Sequence, residues 1–469
     1  MTNRFVRTPV SSAAIAMIVA LGATSSFAAG FLINESSASG LGNAFAGGAA
    51  AAEDATTLWS NAAGMSRIRG RQAVGAIHLI TPSIKFNNEA SSQSLPGTPL
   101  GGNGGDAGGL NVVPNLYLVT PIDSQWSVGL GVSAPWGLVT EYEDGWIGRF
   151  QAIKSSIKTI NVNPALSWKA APNLALGFGL NFQRIEAEFT NQVNYSAALL
   201  GAAVRPPASI APGSPTFNAI AQSTAGLESS ARIEGSDNGF GWNAGVLFDL
   251  DDKSRVGAQY RSSIKYTING DATFSNPTPV VPPALAPVVG ALSAGINSTL
   301  LFNTGVSSEV KIPAIFNLSY FATLNDRWDL MADAQWTQWS TIENLTFVRD
   351  NGTVLQSTPE NFKDSWKFAV GANYRYSSAW MLRGGLAFDQ SPVQDAYRTP
   401  RLPDNDRTWL TAGAQYVASP QLKFDFGGAY VWVKKAAINA DGSSSGAGVL
   451  NGHYNGNTVI LSAQANYAF

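Results

Sequence analysis

Only two histidines and no cysteine occur in the 469 residues, so few side chains could perform catalysis or bind a transition metal. A hydrolase needs a serine, a histidine and an orienting carboxylate placed together. His78 lies in an alternating apolar stretch, His453 lies among glycine and asparagine, and no nucleophile motif marks a serine. Without thiols, and with so few imidazoles, a zinc site is also disfavoured. The sequence therefore predicts a non-enzyme without metal or cofactor, and hydrolysis through His78 remains the alternative.

Two other patterns could suggest ligand chemistry. The glycine run Gly101–Gly105 does not open a helix, so it is not a phosphate-binding loop. Asp249, Asp251 and Asp252 are explained more simply by a tight turn than by a calcium loop. The formal net charge of −2 and the absence of a basic block argue against a nucleic-acid partner.

Composition points to a membrane protein without membrane-spanning helices. Charged residues make up 13% of the chain, about half the usual share of a soluble protein. Mean hydropathy is +0.00, and no uncharged apolar run reaches the roughly 18 residues that a spanning helix needs. The richest later stretch, Pro277–Leu301, holds five prolines that exclude a regular helix.

The first 28 residues are typical of a cleaved secretory signal. Arg4 and Arg7 form the basic start, Ala13–Ala23 is the apolar core, and Ser26-Phe27-Ala28 is a small-x-small cleavage site. The alternative is a buried N-terminal helix. Export without cysteine implies that stability comes from backbone pairing and size rather than from disulfides.

The links between the period-2 segments alternate between long and short. Long links fall near 87–108, 142–154, 195–230, 276–305, 346–363, 391–404 and 438–454. Short links fall near Asp123, Pro172, Asp252, Asn325, Ser377 and Pro420. An antiparallel meander with its tight turns on one side and its large loops on the other is the pattern of an outer-membrane β-barrel.

The faces of the segments agree with a barrel in lipid. In the last segment Val459, Leu461 and Tyr467 share one face, while Ser462 and Gln464 share the other. Other segments place charges on the second face, as Lys367 does between Trp366 and Phe368. Aromatic residues gather at the ends of the apolar faces, where lipid headgroups begin. Lipid cannot satisfy an open sheet edge, so the sheet must close.

We count fourteen strands within a barrel domain at 70–469. They are 71–86, 109–119, 125–141, 155–169, 173–194, 231–250, 254–275, 306–324, 327–345, 364–376, 379–390, 405–417, 421–437 and 455–469. An even count puts both ends on the periplasmic side. The hairpin signal Asp350-Asn351-Gly352 predicts a hairpin within a loop or a count shifted by two.

Two segments depart from the strand rhythm. Residues 29–69 are rich in small residues and hold too few bulky apolar side chains to fold alone. A lumen of this width needs filling, so we predict a plug, with a disordered periplasmic tail as the alternative. Ala134-Pro135-Trp136-Gly137 interrupts the third strand. Proline cannot donate to the ladder, so this run predicts either a side opening in the wall or a bulge near the rim.

Several short motifs, in this order, resemble the FadL family of outer-membrane transporters of long-chain fatty acids and aromatic hydrocarbons. The motifs are Ala29-Gly30-Phe31, Asn34-Glu35, Ser39-Gly40-Leu41-Gly42, Glu53-Asp54-Ala55, Gly239–Gly245, Tyr260-Arg261-Ser262, Phe362-Lys363-Asp364, Ala387–Val393, Pro403–Arg407 and Asn466–Phe469. Each motif alone is weak, but together they extend over nearly the whole mature chain.

The resemblance implies an all-β, 14-stranded antiparallel transmembrane barrel plugged by an N-terminal hatch at 29–69. It also implies capture of ligand between two external loops, here 195–230 and 276–305. The ligand would then move to a pocket closed by Ala29-Gly30-Phe31 and leave sideways at a kink formed by Pro135, Trp136 and Gly137. Apolar loop residues suit capture, and loop–loop packing is the alternative. These loop residues are Ala197-Ala198-Leu199-Leu200, Val280-Val281 and Leu300-Leu301-Phe302.

One departure concerns the gate. The family hatch typically carries Asn-Pro-Ala facing the opening in the wall, whereas this chain has Asn61-Ala62-Ala63. The proline that would stiffen the backbone there is missing. By location alone, Arg149 and Lys154 are candidates for binding a carboxylate headgroup, with ordinary rim charges as the alternative.

The sequence thus predicts a passive transporter of long-chain fatty acids or similar hydrophobic compounds, a monomer exported to the outer membrane of a Gram-negative bacterium. Its partners would be those ligands, outer-membrane lipid and lipopolysaccharide. Uptake of toluene-type aromatic hydrocarbons is one alternative. A general diffusion or structural barrel is the alternative from another class.

Overall fold

The strands form one closed antiparallel barrel. The computed structural model describes residues 30–93 and 98–469, so the predicted signal peptide at 1–28 and Ala29 lie outside the described residues. The strands are β1 Gln72–Asn88, β2 Asn111–Pro121, β3 Trp126–Ser133, β4 Gly137–Glu141, β5 Lys154–Ala171, β6 Leu174–Asn194, β7 Glu228–Asp249, β8 Ser254–Arg261, β9 Ile264–Ser275, β10 Thr304–Ile312, β11 Ile315–Thr323, β12 Trp328–Thr337, β13 Asn344–Arg349, β14 Val354–Pro359, β15 Ser365–Arg375, β16 Trp380–Asp389, β17 Arg407–Val417, β18 Leu422–Gly442 and β19 Gly448–Ala468.

The fourteen barrel strands arise because several of these segments are interrupted halves of one strand. β3 with β4, β8 with β9, and β10 with β11 each form one wall strand, and β1 closes the barrel against β19 from Gln72 to Asn88. The predicted count of fourteen is confirmed. β13 and β14 form a hairpin beyond the ends of β12 and β15, so the signal at Asp350 marks a hairpin within a loop.

Some predicted boundaries are wrong, and so is the expectation that Pro277–Leu301 holds no regular helix. Residues Ala286–Thr299 are helical, because the last of the five prolines, Pro287, lies in the first turn, where its missing N–H has no intrahelical partner to lose. The seventh strand is interrupted between Arg261 and Ile264 and the eighth between Ile312 and Ile315, where Pro313 cannot donate to a ladder. The predicted loop 438–454 is mostly paired strand, because β18 and β19 continue their ladder to Gly442 and Gly448. The alternation of apolar and polar side chains weakens in that polar segment, so the sequence pattern does not indicate a strand there.

The outward side chains form an apolar face and the inward side chains a mixed, partly polar one. Trp366, Phe368 and Val370 of β15 are exposed, whereas Lys367 between them is buried in the lumen. This is the inverse of a soluble fold, because lipid rather than water surrounds the wall. Within the described residues, no helix is long and apolar enough to cross a membrane.

The short turns share one hydrogen-bonding pattern. At Asp123, Asp251, Asn325, Ser377 and Ser419 the side-chain oxygen accepts hydrogen bonds from the backbone N–H groups two and three residues later. Such local acceptors favour tight turns. Aromatic pairs stand beside these turns, as in Trp126–Trp168 with ring centroids 5.7 Å apart, and such rings mark the headgroup level.

Residues 30–69 lie inside the barrel. They contain the short helices α1 Ala38–Gly42, α2 Gly48–Ala51 and α3 Thr57–Ser60, followed by a 3₁₀ turn at Ala62–Arg67. The backbone of this segment approaches the wall where inward positions are glycine. A Cβ atom on Gly257 would lie 1.9 Å from the Ala49 carbonyl oxygen. Longer side chains at such positions would exclude the segment.

Buried charges fix this segment to the wall. The Arg383 guanidinium contacts Glu53 at 2.6 Å and Asp425 at 3.0 Å. Burial opposes ionisation of Glu53, but Arg383 outweighs it and lowers the pKa of that carboxyl below its ordinary value. Gln464 donates to Asp54 at 2.8 Å and accepts from the Ala38 N–H at 3.0 Å. Removing one partner of such a pair would leave a buried, uncompensated charge.

Candidate functional site

The third wall strand is broken, and the break is bonded to the N-terminal segment. β3 stops at Ser133 and β4 resumes at Gly137, while β2 pairs with β3. The Ile33 N–H donates to the Pro135 carbonyl at 2.8 Å, and the Gly137 N–H donates to the Phe31 carbonyl at 2.8 Å. Residues 31–33 therefore act as a short added strand at the break, which supplies the pairing that lipid cannot.

Aromatic rings pack behind this added strand. Phe31 lies edge-on to Trp136 and Trp339, with ring centroids 5.7 and 4.8 Å apart. Thr159 on β5 accepts a hydrogen bond from the Trp136 N–H at 3.0 Å and donates to its carbonyl at 2.8 Å. The break is thus closed by backbone bonds on one side and an aromatic cluster on the lumen side.

The N-terminal end is held by residues of two of the motifs quoted above. The Gly30 N–H donates to Asp404 Oδ2 at 2.9 Å, and Ser391 Oγ donates to the same oxygen at 2.7 Å. Arg407 Nε donates to Asp404 Oδ1 at 3.0 Å. Asp404 therefore anchors the start of the N-terminal segment, at Gly30, next to Phe31.

An apolar inner pocket adjoins Phe31. It has a volume of 100 Å³. Its apolar lining includes Phe31, Leu138, Ile157, Ile185, Phe189, Ile268, Phe347 and Phe362. Two buried ionisable groups, Glu360 and Arg401, also line it. A few convergent polar groups in an apolar pocket are typical of a ligand site.

The side chains that the Arg401 guanidinium contacts are uncharged. Its guanidinium donates to Ser155 Oγ at 3.2 Å and to Asn191 Oδ1 at 3.4 Å, and lies 5.2 Å from the centre of the Phe189 ring. Burial lowers the pKa of Arg401 to about 10, against the opposing effect of Glu360. At neutral pH it therefore remains a buried cation, suited to binding a carboxylate.

Glu360 is held mainly in its neutral form. Burial raises the pKa of Glu360 to about 8, and Arg401 opposes this shift. A protonated carboxyl beside Arg401 does not neutralise the guanidinium. The pair therefore presents a net positive charge to an incoming anion at neutral pH.

A much larger outer cavity lies between the external loops. It has a volume of 2570 Å³ and is lined by α4 Tyr195–Ala203, α5 Pro215–Ser223 and α6 Ala286–Thr299. Arg401 and Ile233 line both this cavity and the inner pocket. Arg401 therefore stands at the junction between the two.

Only some of the predicted capture residues line this cavity. Ala197, Ala198, Leu200, Leu300 and Leu301 line the outer cavity. Leu199 packs inside the cluster that joins the three helices, so part of the apolar content serves loop–loop packing. Val280 is 90% exposed, and Phe302 lies beneath the Arg349 guanidinium.

The two predicted headgroup residues are engaged with carboxylates. Arg149 contacts Glu228 at 2.7 Å and donates to the carbonyl oxygens of Pro99 and Leu100. Lys154 contacts Glu188 at 3.0 Å. Neither lines the inner pocket, where the structure places Arg401 instead.

Asn61-Ala62-Ala63 contacts strands β6 and β7, whereas the broken strand consists of β3 and β4. Asn61 Nδ2 donates to the Val246 carbonyl on β7 at 2.9 Å and to the Ala49 carbonyl at 2.7 Å. A Cβ atom on Gly177 of β6 would lie 2.1 Å from the Ala63 nitrogen. The position beside the break that the resemblance implies for this run is occupied by Phe31–Ile33.

His78 is buried in the wall of the lumen. Its Nδ1 lies 2.6 Å from Ser462 Oγ on β19, and its Nε2 has no hydrogen-bond partner among the described residues. A catalytic histidine would have its second nitrogen oriented by a carboxylate or carbonyl. The pair has the geometry of a cross-strand contact between β1 and β19, where His78 faces Ser462 in register.

Sequence analysis missed Arg401 and Glu360. Arg401 lies two residues before the motif Pro403–Arg407, and Glu360 lies two residues before the motif Phe362-Lys363-Asp364. The available signal was that each of these ionisable residues follows a proline in a long loop, Pro359 before Glu360 and Pro400 before Arg401. The partners of Arg401, which are Ser155, Phe189 and Asn191, lie far away in sequence, so local patterns could not reveal the site.

Relatives are found along the full length of the chain. It is 30% identical over 470 residues to the long-chain fatty acid transport protein of Escherichia coli O6:H1, with 99% of each chain covered. It is 31% identical over 445 residues to the 47 kDa outer membrane protein of Pasteurella multocida, with 94% of this chain and 95% of that protein covered.

Solved structures agree with these sequence matches. The barrel superposes on a Pseudomonas aeruginosa FadL homologue with a TM-score of 0.82 at 28% identity, covering 94% of this chain and 100% of that one. The toluene transporter TodX of Pseudomonas putida shares the fold, with a TM-score of 0.62 at 17% identity and coverage of 88% and 94%. The model of the outer membrane protein transport protein family (OMPP1/FadL/TodX) matches residues 19–469. The barrel, its break and its full-length matches together place this chain in the OMPP1/FadL/TodX family of outer-membrane transport proteins.

Proposed function

We propose that this barrel takes up long-chain fatty acids passively and releases them sideways into the membrane. The observation that carries the proposal is the position of Arg401, which lines both the outer cavity and the inner pocket. A carboxylate can bind Arg401 while its acyl chain exchanges between the two spaces. The relatives named as long-chain fatty acid transport proteins support this choice of ligand.

Capture would begin in the outer cavity. Apolar side chains of α4, α5 and α6 offer a surface on which an acyl chain can leave water. Each buried methylene contributes roughly 0.8 kcal/mol, so partition alone can hold a long chain. This step requires no ATP and no proton gradient.

Transfer to the inner pocket requires movement. Ligand pockets typically measure roughly 300–1,000 Å³, whereas this one measures 100 Å³. A complete acyl chain fits only if the pocket enlarges. Phe31 is the lining residue attached to a separate segment, so its displacement would enlarge the pocket.

Displacement of Phe31 would also open the wall. The carbonyl of Phe31 and the N–H of Ile33 bond directly to the break in the third strand. A ligand that pushes this segment aside thereby uncovers an exit beside Gly137. Binding energy in the pocket would offset the loss of those two hydrogen bonds.

The remaining parts of the proposal concern the protein as a whole. Residues 29–69 act as a hatch that blocks polar solutes, and Asn61-Ala62-Ala63 fastens that hatch to β6 and β7. The barrel works as a monomer in contact with lipopolysaccharide. It performs no catalysis, and the His78–Ser462 pair serves strand pairing.

A second candidate ligand is a monocyclic aromatic hydrocarbon. The volume of 100 Å³ and the Phe31, Phe189, Phe347 and Phe362 lining suit a single ring without enlargement. Such a ligand needs no cation. The two candidates therefore differ in their dependence on Arg401.

Calorimetric titration with oleate and with toluene tests the proposal. Replacing Arg401→Gln removes a charge-assisted hydrogen bond and should weaken oleate binding by about 2 kcal/mol, or roughly thirtyfold, while toluene binding stays unchanged. Arg327→Gln, an exposed arginine at a short turn, is the control for loss of one charge. Equal oleate affinity in wild type and Arg401→Gln would contradict the proposal, and toluene binding without oleate binding would favour the second candidate.

A further inference from the structure

A second interruption of the wall lies between β7 and the strand made of β8 and β9. β7 pairs with β8 from Asn243 to Asp249 and with β9 from Ser230 to Ser236. Between them, residues 237–242 form no ladder pair with a described strand on this edge. Their other edge pairs with β6 without interruption. We call residues 237–242 and the facing residues 262–268 the seam.

Hydrogen bonds that involve a side chain help to close both ends of the seam. At the outer end, Asp237 Oδ2 accepts from the Thr267 N–H at 2.7 Å. At the inner end, Ser262 Oγ accepts from the Trp242 N–H at 2.9 Å, and the Ser262 N–H donates to the Trp242 carbonyl at 2.9 Å. The stretch Gly239-Phe240-Gly241 lies between these two closures.

Two side chains seal that middle stretch from the lumen side. A Cβ atom on Gly239 would lie 2.4 Å from Ile264 Cγ2 and 2.6 Å from Tyr266 Cε1. Ile264 and Tyr266 are 4% and 1% exposed. They thus occupy the space that side chains at Gly239 and Gly241 would take. The Tyr266 hydroxyl donates to Gln183 Oε1 at 2.7 Å and holds its ring in this place.

Apolar surface continues on both sides of this seal. On the lumen side, Ile185 and Ile268 line the inner pocket, and Ile268 is two residues from Tyr266 on the same strand. On the lipid side, Phe240 is 71% exposed and packs edge-on against Phe182 with centroids 5.4 Å apart. Ile264 and Tyr266 therefore stand between the lumen and the lipid at this point of the wall.

We propose that the seam is a second lateral exit, through which an acyl chain passes from the inner pocket to the surrounding lipid. The inference rests on the proposed transport of fatty acids. The passage opens when Tyr266 and Ile264 rotate away from Gly239 and residues 237–242 separate from residues 262–268.

A reversible cross-link tests the exit. The chain contains no cysteine, so Asn238→Cys with Thr267→Cys introduces a single pair. Both positions are exposed, and the β7–β9 register, extended from Ser236↔Asn269, sets them opposite each other. The control pair is Ser236→Cys with Asn269→Cys, which pins strands that already pair. Oleate binding and oleate delivery to the membrane are measured in oxidised and reduced protein.

If both exits deliver at similar rates, oxidation of the seam pair should lower oleate delivery roughly twofold, and reduction should restore it. Oleate binding and the control pair should be unaffected. Full delivery with the seam disulfide formed would overturn the second exit. Failure of wild-type protein to bind or deliver oleate would instead overturn the proposed function.

A photoreactive long-chain fatty acid gives a measurement that does not depend on disulfide formation. In wild-type protein, illumination should label peptides on both sides of the seam, at 237–242 and 262–268, as well as the break at 134–137. Mass spectrometry of the labelled peptides identifies the sites of labelling. Label at the break with the seam unlabelled would overturn the proposal.

Discussion

The wall of this barrel is interrupted at the third strand and at the seam, and the two interruptions are closed by different means. At the third strand, backbone groups of Phe31 and Ile33 complete the hydrogen bonding. At the seam, Ile264 and Tyr266 fill the space beside glycine. Opening the third strand therefore requires residues 31–33 to move as a segment, which takes nanoseconds to microseconds or longer. Opening the seam requires two buried side chains to rotate and two strand edges to separate, which is the smaller movement.

The largest effect should come from removing the segment that closes the third strand. Deletion of residues 29–69 should open the lumen to small polar solutes, because the seam side chains alone cannot fill it. Liposome swelling with sugars measures the change. Swelling as slow as with the intact protein, in a deletion variant that retains its β-sheet circular dichroism, would show that these residues do not block the lumen.

Locking the same segment in place should have the next largest effect. Leu32 and Trp136 form a β-bridge, so Leu32→Cys with Trp136→Cys can form a disulfide across it. Oxidation should lower oleate delivery by at least about tenfold if pocket enlargement and the first exit both need this motion. The reduced variant is the control for the lost tryptophan. Delivery that is independent of oxidation would show that oleate reaches lipid with this segment at rest.

The pocket that serves both exits should respond to pH. Glu360 is neutral below its pKa of about 8 and charged above it. Its negative charge would then repel a carboxylate at Arg401, so oleate affinity should fall on the order of fivefold as pH rises from 7 to 9. Glu360→Gln should remove this dependence, and toluene affinity should not vary in either protein. An equal pH response in Glu360→Gln would assign the effect to another group.

The smallest effect should come from loosening the seam. Tyr266→Phe removes the hydrogen bond to Gln183 and keeps the ring, which should ease rotation by about 1 kcal/mol, or roughly fivefold in seam labelling by the photoreactive fatty acid. Tyr260→Phe, on the neighbouring β8, is the matched control. Unchanged seam labelling in Tyr266→Phe would mean that this hydroxyl does not hold the seal.

The barrel itself could be predicted from the sequence because lipid imposes a simple rule on each strand. The alternation of Trp366, Lys367 and Phe368 needs no knowledge of neighbouring strands. Asp123 and Asn325 likewise mark their turns by local hydrogen bonding. The fold class, the strand count and the family followed from signals of this kind.

The seam and the junction could not be predicted because they depend on pairs of distant segments. Gly239-Phe240-Gly241 continues the period of β7, and the ladder pairs missing on its edge are a property of two strands. The guanidinium of Arg401 has its partners on β5 and β6. No pattern near residue 401 indicates which cavity it would line.

The closing pair of strands constrains the order of assembly. Residues 30–69 precede β1 directly, and β1 completes the ring by pairing with β19, the last strand of the chain. At Gly257 and Gly177 the backbone of this segment approaches the wall more closely than any side chain there would allow. We expect the segment to be enclosed as the first and last strands meet, so a chain whose two ends pair before it is in place should close as an empty ring.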